Sequence, residues 1–161
     1  MRLARRMTLI ALVIGTSVTV SATERVTVLL VLAGALGWSF VPILQLATGL
    51  ILIRGAGART RRLSGYFATH WPWSLWILTA HAAMLLSNFV RTYGLWLAPT
   101  AVVPMLWTVR LLLGFCREEL RLDNRQCRRR VAMHQVTTYV LVLVCVAFAV
   151  ALWPRLLWFS L

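Results

Sequence analysis

The chain predicts an all-α, polytopic membrane helical bundle of five transmembrane helices, with its N-terminus inside and its C-terminus outside. Three observations carry this. First, 60% of the 161 residues are apolar and 13% charged, where soluble domains hold roughly 45–50% and 25%. Mean hydropathy is +0.79, and no stretch reads as a separate soluble unit, so residues 1–161 form a single integral membrane domain. Second, apolar runs of membrane length are divided by short arginine-bearing segments. Third, the arginines of those segments alternate three, one, four, one, six and one along the chain, with Arg110 inside a span. Positive charge gathers on the cytoplasmic or matrix side. The N-terminus and both long connections therefore belong there, in a bacterial or organellar inner membrane.

The first element follows Arg2, Arg5 and Arg6. Met7–Thr23 reads as a short first span, although Val20-Ser21-Ala22 also fits the small-residue rule for a cleaved leader. Glu24-Arg25 breaks it. Val26–Ile53 then runs 28 residues without a charge, about 42 Å at helical rise. That exceeds a hydrocarbon core of roughly 30 Å, so the helix must tilt or kink, and Pro42 is the expected kink point. Ala33 and Gly37, four apart, offer a smooth face for helix contact.

Arg54–Trp71 is rich in arginine and glycine and reads as an irregular loop. Trp73–Val90 is the third span and Leu95–Phe115 the fourth, its first half loosened by Pro99 and Pro104. The stretch Cys116–Arg130 holds six arginines and three of the four acids. Asp123 or Asn124 can cap a helix there, which continues as the fifth span, Val131–Trp153, until Pro154 stops it. Trp71, Trp73 and Trp76 mark the inner interface, and Trp96, Trp153 and Trp158 the outer one.

A net charge of +13 would suggest nucleic acid in a soluble protein. Here the charge sits between apolar runs and sets orientation, so membrane lipids are the expected partners and nucleic acid is not. Arg91, Arg110, Arg128, Arg129 and Arg130 are the candidate headgroup contacts. Cys116, Cys127 and Cys145 have neither CxxC nor zinc spacing.

All four acids lie outside the spans, which argues against a proton-coupled pump. The sequence carries no triad, paired carboxylate, phosphate loop or metalloprotease signature, so no enzyme activity is expected. His81 is the exceptional residue, about 13 Å into the membrane by residue count. Gln45 and Trp107 fall at the same estimated depth on neighbouring spans, so the three form a candidate cofactor-binding group. Small residues on either side of His81 suit a porphyrin or chlorin ligated by its imidazole. His70 and His134 read as solvated or headgroup-facing. The leading expectation is a non-catalytic membrane subunit that packs with other subunits into and stabilises a larger complex, an energy-converting one among the candidates. The alternative is a small channel or carrier with a polar path near Gln45 and His81.

Overall fold

Helix is what such a sequence requires: in an apolar surround, backbone N–H and C=O groups must pair within their own segment. The computed structural model describes residues 2–54 and 59–158, and side chains within them except at positions 2, 22, 59, 60, 89, 91, 95, 146 and 148–158. Every element among the described residues is helical. Helix α1 is Arg2–Thr23, α2 is Val28–Gly37 and α3 is Phe40–Leu52; α4 is Arg59–Ala68, α5 is Trp71–Leu86 and α6 is Asn88–Thr92. A 3-10 segment, Gly94–Ala101, leads into α7, Val102–Glu118, and α8 is Asn124–Trp158. Leu3–Ser21, Val28–Leu52 and Trp96–Glu118 are long and apolar enough to cross a membrane.

Four local expectations change. The break in the second apolar run falls at Trp38-Ser39, four residues before Pro42. Pro42 has no N–H to offer the Trp38 carbonyl, which accepts from Val41 N at 3.1 Å instead. The third run is interrupted at Ser87, whose Oγ accepts from Val90 N at 3.3 Å and starts α6 as a side-chain cap does. Arg54–Trp71 is not one irregular loop, because α4 occupies most of it. Pro154 does not stop the last helix, whose backbone reaches Trp158; one absent N–H is tolerated within a long apolar helix. Of the two prolines of the fourth run, Pro99 lies in its 3-10 start, while Pro104 falls in the first turn of α7 and leaves it helical. Asp123 Oδ1 accepts from Gln126 N at 2.9 Å and caps α8.

The packing order follows from these pieces. Helix α1 lies against α2, α3 and α5; α3 lies against α8, α8 against α7, and α7 against α5. The segments therefore close a ring in the order α1, α3, α8, α7, α5. Gly15 and Gly34 bring α1 and α2 into backbone contact, since a Cβ on either would run into the other. The contact falls one residue from the expected Ala33/Gly37 face. Ala33 and Gly37 point outward, and nothing lies within 4 Å of a Cβ built on Gly37.

Helix α4 fills one end of the ring. Its Leu63, Tyr66 and Phe67 join the buried cluster with Leu52, Leu112, Phe115 and Val131. Arg6 of α1 donates to the Ser64 carbonyl, and Gly65 sits under the Phe115 ring of α7. Cys116 and Cys127 are buried in contact where α7 meets α8.

Candidate functional site

The polar centre of the molecule forms where α4 enters the ring. Tyr66 is fully buried, and Gly49 makes room for it: a Cβ there would lie 2.6 Å from the phenol ring. Thr48 Oγ1 lies 3.0 Å from the Leu44 carbonyl and 3.2 Å from that of Gln45. Its single proton goes to that backbone, so its oxygen accepts from the Tyr66 hydroxyl at 2.9 Å. The Tyr66 oxygen in turn accepts from His134 Nε2 at 2.7 Å. Three helices are thus tied by one chain of hydrogen bonds. Burial holds the Tyr66 phenol well above its ordinary range against the opposing effect of the Thr48 bond, so it stays neutral.

His70 stacks beside this chain, its ring centroid 4.6 Å from that of Tyr66 and 5.7 Å from that of His134. Neither histidine is solvated, contrary to the expectation for both. His70 is 6% exposed and His134 3%, because α4 and α8 carry them into the ring. The side chain of Thr69 and the carbonyl of Tyr66 lie within hydrogen-bond distance of His70 Nδ1. Two imidazoles fall short of a metal site, and among the described residues no three metal-ligating side chains converge.

Burial pushes the His70 imidazole down to about 4 from 6.5, the Tyr66 carbonyl opposing. A histidine with a depressed folded pKa binds fewer protons folded than unfolded. Its contribution is therefore complete above pH 6.5 and is lost as pH falls toward 4, by about 3 kcal/mol in all. Unfolding in detergent at pH 7.5 and 4.5 is expected to show a loss at least that large, and His70→Asn to reduce it by about 3 kcal/mol. An undiminished loss in the variant would assign the titration to another group.

A second feature opens beside His134. A cavity of about 470 Å³ is lined by Arg54, Arg129, Arg130, Gln126 and His134, with Leu52 among its apolar residues. Arg130 Nη1 donates to the carbonyls of Leu52 and Arg54 at 3.1 and 3.3 Å. A guanidinium there satisfies the last carbonyls of α3 and meets its negative dipole end. Arg130, read from the sequence as a headgroup contact, thus also holds the backbone at the end of α3. Arg110, Arg128 and Arg129 are exposed, and the side chain of Arg91 lies outside the described residues.

His81, Gln45 and Trp107 are not brought together. His81 lines a groove of about 580 Å³ between α1 and α5, with Thr16, Ser17 and Ala82 among its neighbours and no residue of α3 or α7. Its Nδ1 donates to the Ile77 carbonyl at 2.7 Å, which leaves Nε2 bare, as in a histidine ready to ligate. A porphyrin or chlorin would have to enter that groove without help from the other two. Trp107 packs edge-on to Trp71, centroids 4.6 Å apart, ten residues from His81 along α5 and so about 15 Å away. Gln45 Oε1 is buried with no partner among the described residues. The grouping fails because it assumed that consecutive spans are neighbours: α1 lies against both α3 and α5, and Trp107 packs at the level of Trp71 rather than of His81.

Sequence reasoning missed Thr48, Tyr66, Arg54 and Gln126. A signal for Tyr66 was present. Leu63, Tyr66, Phe67 and His70 recur at i, i+3, i+4 and i+7, the spacing of one helix face, and all four are buried. No protein-family model matches the chain, and comparison with curated proteins and with solved structures gave no match.

Proposed function

We propose that the chain is a five-span integral membrane protein of a bacterial or organellar inner membrane, acting as a non-catalytic subunit that docks with other membrane subunits. The observation that carries this is the outer face of α2. Gly34 is used against α1, while Ala33 and Gly37 stay open to the outside beside Leu36, which is 75% exposed. Small residues four apart let a second helix approach closely, and in lipid that close packing is what drives association. The threading is supported by two arginine contacts between segments expected on the inner side: Arg6 donates to the Ser64 carbonyl of α4, and Arg130 to the Arg54 carbonyl. Gly37→Leu is expected to leave the chain folded, since its space is empty, and to remove co-purifying subunits from a native preparation. A wild-type chain that purifies alone from its own membrane in mild detergent would end this reading.

A second reading, a small channel or carrier, draws support from one observation. Gln45 Oε1, Thr108 Oγ1, Gln135 Nε2, Thr138 Oγ1 and Tyr139 Oη are buried on α3, α7 and α8 without partners among the described residues. Buried polar groups require partners, and water or a small polar solute would supply them. The path would run by Gln45 rather than His81, which faces a different groove. Solute flux in proteoliposomes that ignores Gln45→Leu and Thr138→Val would exclude it.

A further inference from the structure

We propose that the cavity between the end of α3 and the start of α8 binds the phosphodiester of an anionic phospholipid. Arg54 and Arg129 line it, Arg130 keeps its Nε and Nη2 donors beyond the Nη1 already used, and no carboxylate is among the lining residues. Such a wall attracts an anion. The first turn of α8, which contributes Gln126, adds the positive end of a long helix.

His134 makes this a built site rather than a basic surface. It lines the cavity while 3% exposed. Its Nε2 is taken by Tyr66, and its Nδ1 is buried without a partner. A buried imidazole nitrogen left unpaired is unfavourable, and a phosphate oxygen in the cavity becomes its acceptor once the ring proton moves to Nδ1. With Nδ1 carrying the ring proton toward the phosphate, Nε2 becomes an acceptor, and the Tyr66 hydroxyl turns its proton from Thr48 to Nε2. The relay accommodates the ligand by rotating one hydroxyl and changing one tautomer, with no change in net charge.

A lipid is the source because the same cavity has an apolar side. Ile51 and Met133 line it and are 54% and 57% exposed, so they continue onto the outer surface where acyl chains would lie. Its volume of about 470 Å³ far exceeds the ~30 Å³ share of one water, room for a phosphodiester with its glycerol. The site rests on the membrane placement proposed above and not on any partner subunit. Loss of co-purifying chains on Gly37→Leu would leave it standing.

The test uses the full chain purified in neutral detergent, with retained lipid counted by native mass spectrometry and affinity read from the shift in melting temperature. The probes are phosphatidylglycerol, phosphatidylcholine of the same chain length, and inorganic phosphate. Phosphatidylglycerol is expected to saturate at one molecule per chain and to bind at least about tenfold tighter than either other probe, given charge-assisted contacts without a neighbouring choline cation. Arg54→Gln with Arg129→Gln should weaken it by about a hundredfold, roughly tenfold for each charge-assisted bond. Arg61→Gln with Arg128→Gln removes equal charge at positions that do not line the cavity and should change it by less than about threefold, as screening allows. Equal losses in the two double variants would reduce the site to surface potential and overturn the proposal. So would equal binding of phosphatidylcholine, or phosphate binding as tightly as the lipid.

Discussion

Replacing Tyr66 by alanine is expected to lower the stability of the purified chain by about 3–5 kcal/mol, the range for emptying a buried aromatic site. The effect should lie at the upper end because two losses combine. The ring fills the space that Gly49 leaves open, and its hydroxyl is the joint between Thr48 and His134. Tyr66→Phe separates them. It keeps the ring, strands His134 Nε2 as a buried polar atom and leaves Thr48 Oγ1 with its backbone bonds alone, and should cost about 1–3 kcal/mol. Thermal unfolding in one detergent measures both. Exposed Arg61 on the same helix is the control; an alanine there that costs as much as Tyr66→Ala would mean that α4 is not held by its buried face.

Gly34→Leu is expected to have the second large effect. Even a Cβ at this position would lie 2.6 Å from the Gly15 carbonyl oxygen and would strike the Thr19 hydroxyl. Both helices must separate, because the obstacle is mostly backbone, which cannot rotate away. Overpacking of a tight core costs about 1–3 kcal/mol, and a branched side chain between two helix backbones belongs at the top of that range. Gly34→Ala should already destabilise. Gly37→Ala, three residues on and facing open space, should be neutral or stabilise by up to about 1 kcal/mol, since alanine is the better helix former. A pair of variants with the same sign would place the α1–α2 contact elsewhere.

The residues show why the site was harder to read than the fold. His81 stood out because it is a lone ionisable group within an apolar run, and position along the chain is enough to see that. Tyr66 and His134 were hidden by their surroundings. Both lie beside arginines, and basic surroundings read as solvated in a sequence. The structure removes them from solvent by turning one face of α4 and one of α8 into the ring, leaving the arginines outside. The backbone role of Arg130 was hidden for a related reason. Its guanidinium was counted as a topology charge, yet it also satisfies carbonyls some 76 and 78 residues earlier in the chain.

Helical class and runs of membrane length were determined by the sequence alone. Hydropathy and backbone pairing depend on the order of residues along the chain, and apolar stretches separated by arginines record both; among the described residues three helices are long and apolar enough to cross a membrane. The alternation of charge is likewise a one-dimensional property. Only the tertiary structure decided which helices are neighbours, that α4 enters the bundle, and that His134 rather than His81 joins the polar centre. Those outcomes depend on how each helix is rotated about its axis and where two backbones come close enough to touch, as Gly15 and Gly34 do. A string of residues does not encode that rotation separately from the packing that selects it.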